Sequence, residues 1–226
     1  MSTRCRAFSL VKEMISSLYR VNSDGSRLWH HYHHYQEFNM ATVNIDPNPG
    51  SVLEVIKKRY SCRRYRADQV DRSRLEALKE AVRWAPSACN RQPYTFHFIN
   101  DSKTIKDIAQ AVPLGPASVN SWIETAPLVV AAVGRPELVW HRMTQVIDTD
   151  YHRTDAIIAM DHLSLVATEM DLGTCWVGWF HRKKVGKILD IRGGEEVVIL
   201  MTVGFPEKEP VSRKGRKGVE ELVVER

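Results

Sequence analysis

The run APLVVAAV, residues 126 to 133, is the longest apolar stretch in this chain of 226 residues. It is far too short to span a bilayer, which takes about 20 apolar residues in a helix. It reads instead as a buried strand within PLVVAAVG, residues 127 to 134. EEVVILMTVGF (195 to 205) reads as a second strong strand, and YTFHFIN (94 to 100) as an aromatic-rich one. LGTCWVGWF (172 to 180) is a strand or a strand-like turn.

Helical spacing fills the intervals. Ser51 and Glu54 form a capping box at the start of a helix whose apolar face is Val52, Val55 and Ile56. Asp71 caps a second helix carrying Leu75, Leu78, Val82 and Ala85, and Pro86 ends it. Ile105, Ile108 and Val112 mark a third, over 101 to 112. A long helix runs from about Thr154 to Met170, and Val185, Ile188 and Leu189 mark a short one. ELVVE near the C-terminus is a possible short strand. Residues 135 to 150 have no clear period and suit a lid. Helices and strands mix without a strict βαβ rhythm, which points to α+β or a three-layer arrangement over a doubly wound sheet.

DPNPG (46 to 50) is a breaker, so the expected organisation is an N-terminal extension, 1 to 50, and one domain, 51 to 226. The extension has no continuous apolar core of a secretory signal. It is nearly acid-free in its first 20 residues, like a transit peptide; alternatively Met40 opens the true product. Its HHYHHY tract (30 to 35) lacks acid or cysteine partners at a fixed spacing and reads as a solvated polar segment. The four cysteines form no C-x-x-C pair, which suggests free thiols and a cytoplasmic location. Cys62, Cys89 and Cys175 read as small buried apolar groups. A net charge of +5 is mild, and no long, dense basic stripe interleaved with aromatics runs along the chain, so neither nucleic acid nor membrane is an expected partner.

The chain lacks G-x-G-x-x-G, Walker A, G-x-S-x-G and H-E-x-x-H motifs. DTDYHRTD (148 to 155) has no recognised ligand spacing and reads as a solvated helix start, so no metal is expected. No catalytic acid, base or nucleophile can be named. Such a chain can still be an enzyme if a cofactor carries the chemistry.

One segment asks for an anion. KKRYSCRRYR, residues 57 to 66, holds six cations. Lys57, Lys58 and Arg59 suit a helix C-terminus. Arg63, Arg64 and Arg66 lie beyond it. Arg59, Ser61 and Arg63 alternate, so an extended backbone turns all three to one side, a donor set that fits a terminal phosphate. SRKGRK (212 to 217) is a second basic cluster that could close on the same anion.

Here the sequence resembles the FMN-dependent nitroreductase family, over most of 51 to 226. The resemblance rests on Arg59-Tyr-Ser-Cys-Arg-Arg-Tyr65, Ala85-Pro-Ser-Ala-Cys-Asn-Arg-Gln-Pro-Tyr94, DAIIAMDH (155 to 162), Asp171-Leu-Gly-Thr-Cys-Trp-Val-Gly178 and Arg216-Lys-Gly-Val-Glu-Glu-Leu-Val223. It implies an α/β/α sandwich with a mostly antiparallel central sheet, in a homodimer that exchanges C-terminal arms. Arg59, Tyr60, Ser61, Cys62 and Arg63 would hold the phosphate and ribityl chain of FMN, and Arg216 would complete the phosphate site. Ser87 and Asn90 would contact the flavin from the partner subunit. Trp176, Val177 and Gly178 would line the isoalloxazine, although Trp176 and its neighbour Trp179 also read as core aromatics. The implied activity is ping-pong transfer from NADH or NADPH to a small acceptor such as a nitroaromatic or quinone. Three departures stand out: Tyr60 replaces an arginine, Asp171 a glycine and Tyr94 a tryptophan. The residues leave open a different flavin chemistry on the same scaffold, such as reductive dehalogenation or flavin fragmentation, and a non-catalytic flavin-binding module.

Overall fold

In the computed structural model, which describes residues 51–112, 121–136, 150–208 and 215–226, the apolar run becomes Leu128–Gly134, a strand buried at every position. All the described residues lie in one unit, Pro47–Arg226. The strands are β1 Tyr94–Ile99, β2 Leu128–Gly134, β3 Gly173–Val177 and β4 Glu196–Gly204. They form one sheet in the order β1-β2-β4-β3, and every pair is antiparallel. The helices are α1 Val52–Lys58, α2 Arg72–Arg83, α3 Ser102–Gln110, α4 Tyr151–Glu169, α5 Arg182–Ile188 and α6 Val219–Leu222.

Side chains alternate across a strand, so a strand with no polar position needs cover on both faces. Leu128, Val130 and Ala132 pack with Leu78 and Val82 of α2 and with Ala156, Ala159, Met160 and Leu163 of α4. Val129, Ala131 and Val133 pack with Ile105 and Ile108 of α3 and Val185 of α5. The result is the expected three-layer α/β/α sandwich. Each large apolar side chain buried this way contributes about 1.5–3 kcal/mol.

A bulge sets the phase of β4. Ala132 pairs with Ile199 but Val133 pairs with Val197, so Val198 is the extra residue. Val197 and Leu200, three apart, consequently face the same layer. Arg182 Nη1 covers the bulge by donating to the carbonyls of Val197 (2.7 Å) and Val198 (2.5 Å).

Several local expectations change. Only half of the first capping box forms: Ser51 Oγ accepts from Glu54 N–H at 3.3 Å, while the Glu54 carboxylate takes Lys57 at 3.4 Å. The apolar face of α1 is not buried within the chain; Val52 is 70% exposed and Ile56 49%. ELVVE is not a strand. Gly218 N–H donates to Glu221 Oε1 at 3.0 Å, which starts the single turn α6. Cys89 is exposed rather than buried. The lid expected at 135–150 falls mostly outside the described residues, as do the N-terminal extension with its histidine tract and the start of SRKGRK.

The DTDYHRTD segment is not simply solvated. His152 and Asp155 are buried. His152 Nε2 lies 2.9 Å from Glu196 Oε1, and Arg153 grips both Glu196 oxygens at 2.5 and 2.9 Å, joining α4 to the start of β4. Among the described residues no His, Cys, Asp and Glu group could hold a metal. Hydrogen bonding from Arg153, then from His152, holds the Glu196 carboxyl down to about 2. A depressed carboxylate contributes stability that is full above its unfolded value near 4.5 and is lost as pH falls toward 2. Acid titration of the denaturant midpoint should therefore show a loss of roughly 1–2 kcal/mol in this window, after solvent screening, that is missing in Glu196→Gln.

Candidate functional site

Helix α1 ends where the chain turns extended. Arg59, its C-cap, has φ −58° and ψ 132°. The basic segment that follows runs beside the edge strand β3. Ser61 bridges Thr174 in parallel, and Cys62 N–H donates to Thr174 O at 2.9 Å. Farther along, Arg66 N–H donates to Phe205 O at 2.9 Å and Glu207 N–H to Arg64 O at 3.1 Å. The buried Tyr65 hydroxyl donates to Cys62 O at 2.8 Å and lies 2.7 Å from Thr202 Oγ1. Burial pushes that phenol far above its ordinary range, so it stays a neutral clamp. Gly173 permits the close approach: a Cβ there would lie 2.6 Å from Cys62 Cβ and 2.8 Å from its Sγ.

Five of the six cations are now distinguishable. Lys57 meets Glu54, Lys58 meets Asp171 at 2.6 Å, and Arg66 meets Asp68 at 2.8 Å. The Arg63 guanidinium sits 5.7 Å from the centre of the Trp122 ring, and Arg63 and Ser61 are exposed. Arg59 differs: its Nη1 is buried and has no hydrogen-bond partner among the described residues. Thr174 Oγ1 is buried in the same condition. A buried donor left unmade costs about 1–3 kcal/mol, more when charged. Arg63 and Arg59 both act on the Cys175 thiol, drawing its pKa down against the larger upward push of burial. The two guanidiniums therefore bear on the same strand.

The exit of β3 is open. Trp176 packs partly against the α2/α4 layer, and Val177 is buried against the α3/α5 layer. Gly178 is exposed, and among the described residues a Cβ there would meet only Ile199 Cδ1, at 3.5 Å. A flat group can reach this backbone. Trp179 is 69% exposed and so is not a core aromatic.

Ser87 and Asn90 lie on a separate loop, after α2, tied to α4. Ala88 N–H donates to the buried Asp155 at 3.1 Å. Within the loop Asn90 N–H donates to Ser87 O (2.9 Å) and Gln92 N–H to Ser87 Oγ (3.1 Å). Cys89, Asn90 and Gln92 have φ of 52°, 55° and 51°, left-handed values that cost a non-glycine residue roughly 1 kcal/mol each. Arg216 sits on the exposed C-terminal segment, its Nη1 donating to Gly215 O at 3.4 Å.

Comparison with known proteins gives this arrangement a relationship. A model of the Nitroreductase family matches residues 56–205. The chain belongs to the nitroreductase family. A nitroreductase family protein from Clostridium novyi NT has a structure that superposes with TM-score 0.65 at 31% identity, covering 72% of this chain and 89% of that one. The oxygen-insensitive NADPH nitroreductase of Helicobacter pylori is 23% identical over 194 residues, 73% of this chain and 91% of the relative. The NADPH:FMN oxidoreductase of Vibrio harveyi, solved with NAD+, shares the fold: TM-score 0.65 at 19% identity, over 77% of this chain and 76% of that one.

As a member of the nitroreductase family, the chain shows how its departures are accommodated. Tyr60 packs against the cluster of Cys62, Tyr65 and Ala126, so the position is part of an apolar wedge and not a cation. Asp171 has φ 60°, a backbone that a glycine favours, and its carboxylate pairs with Lys58. Thr174 and Trp122 were given no role in the sequence, and Asp155 was read as part of a solvated helix start, because each acts through a contact with a distant segment. For Asp155 alone there was a local signal, an acid inside an otherwise apolar helical face.

Proposed function

We propose that this chain is an FMN-dependent oxidoreductase that takes hydride from NADH or NADPH and reduces small nitroaromatic, quinone or related acceptors by a ping-pong cycle. The observation that carries the reading is Arg59 Nη1, buried with no acceptor among the described residues, on a segment strapped to the strand that leads into Gly178. Those residues fit the cofactor. Arg59, Ser61 and Arg63, with Arg216 from the C-terminal side, would hold the phosphate. Tyr60 and Cys62 would flank the ribityl chain with backbone. Trp176, Val177 and Gly178 would line the ring. When bound, FMN would supply a two-electron acceptor and donor that no side chain here replaces. The chain's own work is positioning: its fixed charges hold the phosphate, and the backbone N–H groups at the end of β3 offer donors to the ring.

A second copy of the chain belongs to this reading. Val52, Trp84 and Ile157 are exposed apolar residues, and a groove of about 480 Å³ between α1, α2 and α4 is lined by Val52, Val55, Ala77, Ala81 and Trp84. The C-terminal residues Val219, Leu222, Val223 and Val224 are exposed as well. Burial of such surface in a homodimer with exchanged arms would bring Ser87 and Asn90 to the partner's flavin. The family names and the Vibrio harveyi neighbour support the donor and the cofactor.

Anaerobic stopped-flow mixing of the FMN-loaded protein with NADPH or NADH tests the proposal. The yellow absorbance should bleach before an acceptor is added and return when a quinone or nitroaromatic follows. A flavin that binds but stays oxidised contradicts the enzyme reading and leaves a binding module.

A further inference from the structure

The loop bearing Ser87 and Asn90 poses a mechanical problem. Three of its residues, Cys89, Asn90 and Gln92, are left-handed without being glycine. Its internal hydrogen bonds tie Asn90 and Gln92 back to Ser87, and the Gln92 amide donates to Asn90 O and Oδ1, both at 3.0 Å. These bonds define the shape of the turn but do not fix it to the body of the protein. Pro93 O does so at one end, accepting Arg135 N–H at 2.8 Å. At the other end the tie is Asp155 Oδ2, which accepts Ala88 N–H at 3.1 Å across 67 residues of sequence.

Asp155 is an expensive residue for that purpose. It is 3% exposed, on the second turn of α4, and burial pushes its carboxyl up from the ordinary value, opposed by the Ala88 hydrogen bond and by His152. A carboxylate held in such surroundings is retained where it satisfies something that would otherwise be unmade. Beneath the same loop the Tyr94 hydroxyl is buried beside Asp155 and Ser87: burial raises its pKa, the Asp155 charge raises it further, and Ser87 lowers it. The groups facing Asp155 are thus Ala88 from the loop, Tyr94 from β1 and His152 from its own helix.

We infer that Asp155 is a positioning residue for the flavin site: its carboxylate anchors the Ala88 amide to α4 and so holds the left-handed turn that presents Ser87 and Asn90. The inference rests on the FMN reading for its consequence, but the anchoring itself does not. Asp155 touches neither cofactor nor substrate and acts through the loop.

Two readouts on three variants test it. Hydrogen exchange of the amides from Ala88 to Gln92 is followed by mass spectrometry in the full chain, and FMN affinity by titration. Asp155→Ala should speed exchange in this loop and raise the FMN dissociation constant, each by about tenfold or more. Asp155→Asn keeps an acceptor oxygen in place and should restore both to within about threefold of the parent. Ala88→Pro removes the donor from the other end; Ser87, at φ −142° and ψ 156°, already has the extended conformation that precedes proline, so this variant should fold and reproduce the alanine effect. If Asp155→Ala leaves loop exchange unchanged, the anchor is refuted. If it speeds exchange throughout the core and Asp155→Asn does no better, the residue is structural and the inference is equally refuted. If the parent chain takes no FMN, the cofactor reading fails, while the exchange data still decide whether Asp155 holds the loop.

Discussion

Arg59→Ala is expected to weaken FMN binding by roughly 150- to 20,000-fold while leaving the apoprotein's denaturant midpoint nearly unchanged. Two charge-assisted hydrogen bonds to a phosphate are worth about 3–6 kcal/mol net, which sets the range. The separation of the two effects is what makes the variant informative. Arg59 Nη1 is buried with no partner among the described residues, so removing the guanidinium from the apoprotein deletes an unmade bond and not a made one. An arginine that merely capped α1 would behave in the opposite way, with stability falling and FMN affinity preserved. Equilibrium titration of flavin fluorescence, beside urea unfolding of the apoprotein, separates these results.

Gly173→Ala should damage fold and site together. Its Cβ would stand 2.6 Å from Cys62 Cβ, 2.8 Å from Cys62 Sγ and 3.2 Å from Pro206 Cγ. No rotamer of Cys62 relieves a clash at its Cβ. The segment from Ser61 to Arg63 must therefore retreat from β3, losing the Ser61–Thr174 bridge and the Cys62 N–H bond to Thr174 O. Overpacking of this kind costs about 1–3 kcal/mol. The same retreat moves Arg59 and Arg63 off the strand, so FMN affinity should fall with stability. Unchanged FMN affinity in a destabilised Gly173→Ala protein would mean that the phosphate donors do not depend on contact with β3.

Much of this architecture was readable from single stretches. Strict apolarity over residues 128–134 forces cover on both faces, and that requirement alone leads to three layers. Asp71 and Asp101 act as N-caps, accepting Arg74 N–H at 3.0 Å and Thr104 N–H at 2.8 Å, because an aspartate before an apolar-periodic run has few other uses. The basic segment suggested an anion cradle because six like charges in ten residues have no compensation within the segment itself. What stayed hidden depends on partners far away in the chain. Whether Arg66 or Arg59 is the arginine with an orphaned donor is decided by Asp68 on one side and by burial against β3 on the other. The acids of DTDYHRTD looked solvated because Glu196 and the Ala88 amide, which engage His152 and Asp155, lie 44 and 67 residues away. ELVVE has strand composition, yet the Gly218 cap starts a helical turn that takes in its first two residues.

The most direct test is a paired titration of the apoprotein with FMN and with riboflavin, which differ by the phosphate alone. If the guanidiniums around β3 form a phosphate cradle, FMN should bind about 100-fold or more tightly than riboflavin. Equal affinity for the two, or no affinity for either, would contradict the account.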